Sequence, residues 1–183
     1  MINWITRKKE KQMTSKEYDL IKEMLQMQEK LDEAIMKEYG LTEIDEENLR
    51  MAILDEVGEL THELKANWCW WKKTQAPVDK EKVLGELVDI WHFILSWQNH
   101  FDNGKEGLVS RYDVKRVVDL NVFRLNKCNS ELSYRLCQLV DYGFYKTPRL
   151  IAITEYLGFT IEQVYEAYCD KNKINYQRLK EGY

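Results

Sequence analysis

A chain of 183 residues, 44% of them hydrophobic, is long enough to bury a core of its own, and its length calls for no more than one domain. A net charge of −4 provides no broad basic surface and argues against a primary nucleic-acid binder, leaving Arg7, Lys8, Lys9 and Lys11 as a small basic patch on a tail over residues 1–14. Four cysteines without a CxxC pair fit a reduced compartment, and no window approaches the roughly 20 apolar residues that span a bilayer, so a cytoplasmic protein with no membrane partner is expected.

Apolar residues recur at three- and four-residue spacing and only two prolines interrupt the chain, which predicts helices nearly throughout. Thr14 and Glu17 make a Thr-x-x-Glu capping box, opening a first helix that ends near Gly40 with Leu20, Met24, Met27, Leu31 and Ile35 turned inward. A second helix starts near Asp45 and runs through Met51, Leu54, Leu60 and Leu64 into a Trp-rich stretch. Pro77 and Asp79 introduce a third, containing VLGELVDIWHFILS at residues 83–96. Residues 101–113, with two glycines and no period, read as a surface loop. A helix from about Val114 to Tyr142, a short one after Pro148 and a last one capped by Thr160 and Gln163 complete the chain. The expected fold is one all-α domain over residues 1–183, a bundle of about five to six helices.

The third helix poses a physical problem. Glu86 and Asp89 stand among Leu84, Leu87, Val88, Ile90 and Trp91, in a segment suited to burial, where an isolated carboxylate is very costly. In the second helix, LDEVGELTHEL carries Glu56 and Glu59 at the same three-residue spacing, so each pair projects from one side of its helix. Two such pairs on neighbouring helices would converge four carboxylates, which persist together only with cations between them. Oxygen-only ligation suits Mg²⁺ or Mn²⁺, whose remaining positions take water and phosphate oxygens. Glu56 and Glu59 taken alone also read as an ordinary solvated pair. Glu59 with His62, and Asp89 with His92, further match the carboxylate–histidine spacing of di-iron bundles, although each of the four ligand helices there supplies a carboxylate.

The last helix turns polar along its inward face. Ile161, Val164, Tyr165 and Tyr168 are continued at helical spacing by Lys171, Asn172, Asn175 and Arg178. Such groups suit phosphate oxygens, Lys as a point charge and Arg as a planar fork of donors. A helix that merely leaves the core and frays is the other reading. Beside carboxylates that need a divalent cation, phosphate binding accounts for more.

EVGEL and GELVDIWHFILS, followed by YCDKNKINYQRLKEGY, resemble the dimeric all-α dUTPases, members of the wider all-α nucleoside triphosphate pyrophosphatases. The resemblance runs from about Leu25 onward, apart from the loop at 101–113. It implies a homodimer with the active site between helices, hydrolysing dUTP to dUMP and pyrophosphate with Mg²⁺, for which Mn²⁺ can substitute. Alternative substrates are dUDP and dCTP. It implies metal ligation by Glu56, Glu59, Glu86 and Asp89, and phosphate contacts from Lys171, Asn175 and Arg178. MQEKLDE resembles the family's Leu-Gln-x-x-Leu-Asn/Asp segment and puts the base-reading glutamine at Gln28. NWCWWKK resembles its Trp- and Lys-rich segment, bringing Trp68, Trp71 and Lys72 to the nucleotide; Cys69 stands where a lysine is usual. The three tryptophans could equally pack under a loop. Tyr168, Asn172 and Tyr183 are the remaining nucleotide-side candidates, Tyr183 closing over it, and Leu179 replaces the glutamine that usually follows the C-terminal arginine.

By charge, one carboxylate should take a proton from the attacking water, Glu56 ahead of Glu59. Gln28's amide carries both donor and acceptor, so by flipping it could complement uracil or cytosine. His92 is expected to pack or position rather than ligate. A non-enzymatic binding module of the same fold is the remaining reading, and no acidic ligand is missing to favour it.

Overall fold

The computed structural model describes residues 13–101, 132–142 and 146–182. The basic tail, nearly all of the loop at 101–113, most of the helix expected between Val114 and Tyr142, and Tyr183 lie outside the described residues.

Seven helices and no strand occur among the described residues: α1 (Ser15–Tyr39), α2 (Glu46–Glu63), α3 (Lys65–Trp68), α4 (Lys80–His100), α5 (Leu132–Val140), α6 (Lys146–Tyr156) and α7 (Ile161–Glu181). The count exceeds the expected five to six because the Trp-rich stretch forms the single turn α3. None is long and apolar enough to cross a membrane.

The caps are local chemistry. Thr14 and Glu17 exchange hydrogen bonds at the start of α1, the Thr14 N–H donating to Glu17 Oε2 at 2.7 Å, and Gly40 ends the helix at φ 66°, a left-handed conformation that favours glycine. Asp45 accepts from the Asn48 N–H at 2.8 Å, Asp79 caps α4, and Thr160 with Gln163 repeats the reciprocal box at α7. Pro148 lies inside α6 rather than before it. It falls in the first turn, where its missing N–H has no intrahelical acceptor to lose.

Helix α4 is the central element, packing against α1, α2, α6 and α7. Leu87, Ile90, Trp91, Ile94 and Leu95 are fully buried, and the Trp91 indole N–H donates to Thr154 Oγ1 at 3.1 Å. Two inward stripes differ from expectation. On α2 the buried residues are Leu49, Ile53, Val57 and Leu60, with Leu64 at the cap, whereas Met51 and Leu54 are 56% and 47% exposed. At about 100° per residue Met51 and Leu60 fall on opposite sides of a helix, so the expected stripe could not share one face. On α1, Tyr18, Ile21, Met24, Gln28 and Leu31 point inward, while Leu20, Met27 and Ile35 are half-buried. The stripe rotates because Gln28 and Asp32 satisfy each other inside it, Gln28 Nε2 donating to Asp32 Oδ1 at 2.7 Å.

Candidate active site

Helices α2 and α4 bring their acidic residues together. Glu56, Glu86 and Asp89 each place one carboxylate oxygen within 4.8 Å of the others, all three half-buried. Burial, then the charges of Asp89, Glu59 and Glu86, push the Glu56 carboxyl up to about 7. Burial also raises Glu86, reinforced by Glu59 and Asp89. Asp89 is raised by burial and held back by a cation, since Lys171 Nζ on α7 lies 2.6 Å from its Oδ2. Glu59, exposed one turn along α2, adds to this negative field from outside the three-oxygen group. Three of the four acids expected from spacing therefore meet within 4.8 Å, and the fourth, Glu59, reaches the group through its charge and a side-chain hydrogen bond with Glu86.

The histidines do not join them. His62 is exposed beside Lys65, with Nζ 3.0 Å from Nδ1, and His92 turns its Nδ1 to Gln28 at 2.8 Å. The mixed carboxylate–histidine ligand set of a di-iron bundle is therefore not assembled among the described residues.

A cavity of about 830 Å³ opens between α1, α2, α4 and α7. Glu56, Glu59 and Asp89 line it together with Lys171, Asn175 and Arg178. The apolar-to-polar change along α7 thus falls where the helix passes from the core to this cavity. Gln28, Asp32, Ser96, His92 and Phe93 complete the wall near α1 and α4. Asp32, Ser96 and Phe93 are not among the residues expected at the site, although Asp32 holds the Asn/Asp position of the Leu-Gln-x-x-Leu-Asn/Asp segment, four residues after Gln28.

Several expected nucleotide contacts sit elsewhere. Tyr168 is fully buried, its hydroxyl donating to Gln28 Oε1 at 2.7 Å, Asn172 is also buried, and neither is among the residues lining the cavity. Trp68, Trp71 and Lys72 are exposed and absent from the cavity wall. The Trp68 indole N–H donates to Thr61 O at 2.8 Å, and its ring meets Trp71 at 5.6 Å between centroids. The single-turn α3 ends these side chains on the outside of α2. Gln28's amide is likewise fixed rather than free to flip, because Tyr168, His92 and Asp32 all engage it.

The family model described as dUTPase matches residues 20–183, from the second turn of α1 to the C-terminal residue. The chain belongs to the dUTPase family. As in the all-α branch of that family, the fold is a helical one, and the matched span contains every acidic and basic residue of the cavity described above. No match was found among curated proteins. Membership in the dUTPase family accounts for acidic and cationic side chains lining one cavity, since a nucleotide substrate carries the phosphates that such cations would hold.

Proposed function

We propose that this site hydrolyses dUTP to dUMP and pyrophosphate with Mg²⁺, or Mn²⁺ in its place, and so controls the deoxyuridine nucleotide pool. The observation that carries the reading is three carboxylates from two helices within 4.8 Å, two of which, Glu56 and Asp89, line a cavity together with Lys171 and Arg178. The donor set suits the cation. Its ligand atoms are all carboxylate oxygens, and burial raises all three acids, with neighbouring anions adding to the rise at Glu56 and Glu86, the disfavour that a hard divalent cation relieves. Glu56, Glu86 and Asp89 would hold it, with Glu59 at the rim.

The chemistry of a bound Mg²⁺ is to offset phosphate charge and make water a readier proton donor. The chain's own residues supply the rest. Glu56 would take the proton from the attacking water, since burial and the neighbouring anions raise its carboxyl to about 7. Lys171 carries three N–H donors, so its pairing with Asp89 leaves two for phosphate oxygens, while Arg178 offers a planar fork further along the same helix. Asn175, between them, donates an amide.

The purified protein is expected to release pyrophosphate from dUTP with Mg²⁺ or Mn²⁺ and to release none with EDTA. A panel of deoxynucleoside triphosphates, dCTP included, tests the substrate in the same assay. Tight iron binding without hydrolysis would overturn the reading.

A homodimer is part of the proposal. Met51 and Leu54 stand one turn apart on the outer side of α2, an apolar strip that a second copy of the chain would cover. Light scattering should give twice 22.0 kDa for the wild type and 22.0 kDa for the double variant Met51→Glu with Leu54→Glu. The unpaired state of Cys69, Cys137 and Cys169 supports a cytoplasmic location.

A further inference from the structure

Gln28 is 4% exposed, and its hydrogen bonds fix which way its amide faces. Oε1 accepts from the Tyr168 hydroxyl at 2.7 Å and lies 2.8 Å from His92 Nδ1, while Nε2 donates to Asp32 Oδ1 at 2.7 Å. Inverting the amide would set its oxygen against the Asp32 carboxylate, so the orientation follows from the network. Asp32 is itself held from its other side by His100, Nε2 to Oδ2 at 3.2 Å.

The amide orientation also fixes the tautomer of His92. An amide oxygen can only accept, so Nδ1 must carry the imidazole hydrogen and Nε2 must be bare. That Nε2 is buried and has no hydrogen-bond partner among the described residues. Burial, with a smaller contribution from Lys171, lowers the imidazole to about 3, which keeps the ring neutral. The Tyr168 ring stacks on it at 4.0 Å and 16°, holding its plane.

Both side chains line the cavity. At that wall the network leaves one acceptor without a partner, the buried His92 Nε2, and one further hydrogen on Gln28 Nε2. We propose that these two groups read the pyrimidine together, His92 Nε2 accepting the uracil N3–H while Gln28 donates to O4, which makes His92 the residue that separates uracil from cytosine. The inference rests on the nucleotide reading above. In the same pose cytosine turns the N3 lone pair toward the bare Nε2 and its amino group toward the Gln28 N–H. Each mismatch strands a buried polar group, the situation in which a site built on hydrogen bonds rejects the wrong substrate most strongly.

Two measurements test it. In His92→Asn the amide N–H can replace Nδ1–H toward Gln28, but nothing replaces the Nε2 acceptor. With folding verified by circular dichroism, the ratio of kcat/KM for dUTP over dCTP should fall by about 10- to 100-fold, the size expected for one unsatisfied buried contact. Nitrogen-15 NMR of the wild type should find His92 protonated at Nδ1 and bare at Nε2, with the Nε2 resonance moving upfield on addition of dUMP and staying in place with dCMP. An unchanged ratio in folded His92→Asn, a wild-type preference for dCTP, or a protonated Nε2 in the free protein would overturn the proposal. Should the wild type hydrolyse neither nucleotide, the proposed function falls, and the response of Nε2 to dUMP and dCMP still decides the base contact.

Discussion

Glu56→Gln should give a folded protein that binds nucleotide and turns it over at least about 100-fold more slowly, since a positioned general base contributes on the order of 10²–10⁴. The substitution nearly preserves shape but removes the proton acceptor. It should also stabilise the protein in EDTA at neutral and alkaline pH. Burial and the neighbouring anions raise Glu56 from 4.5 to about 7 in the folded state, so between these values the folded protein holds a proton that the unfolded chain has lost. The contribution of Glu56 is thus fully present below pH 4.5 and is lost as pH rises through about 7. Glutamine has no such proton, so the melting-temperature advantage of the variant over wild type should grow across that window. His92, lowered to about 3, shifts stability the opposite way, but it does so in both proteins and cancels in the difference. Asp89→Asn should instead weaken cation binding itself, as read by calorimetry. Near-normal turnover in Glu56→Gln would transfer the proton-accepting role to Glu59.

Deleting residues 171–183 should leave a helical protein without activity. The buried apolar cluster ends at Tyr168, and beyond it α7 supplies the Lys171 pairing with Asp89 and the cavity-lining Asn175 and Arg178. Among the described residues, Asn172 is the one buried residue lost with the deletion. Arg178→Ala alone should reduce turnover by about one to two orders of magnitude, because a charge-assisted contact is worth about 1.5–3 kcal/mol and about 1.4 kcal/mol is tenfold in rate. Circular dichroism separates a folding defect from a catalytic one. A folded truncation that hydrolyses dUTP at the full-length rate would show the polar end of α7 to be merely solvated.

Much of this architecture was legible because its determinants are local. The boxes at Thr14 and Thr160 and the cap at Asp79 are contacts across two or three residues, visible in the sequence itself. The acidic group was legible for an energetic reason: carboxylates inside an apolar helix require something to hold them. The network around Gln28 was not, since its partners His92 and Tyr168 are 64 and 140 residues away. Met51 and Leu54 misled because hydrophobicity states that a side chain avoids water without stating which surface covers it. Where the tryptophans point is not legible in NWCWWKK, since the sequence does not show that α2 gives way to the single turn α3 there.

The 2.6 Å contact between Lys171 and Asp89 makes the ammonium a resident counter-ion. On the proposed reading, a divalent cation that engaged Asp89 would compete with that ammonium and so would free Lys171 for a phosphate as the acidic side filled. Cation and triphosphate would then bind cooperatively, and by linkage the factor by which one tightens the other is the same in both directions. Lys171→Ala should uncouple the two, leaving cation affinity less dependent on whether nucleotide is present.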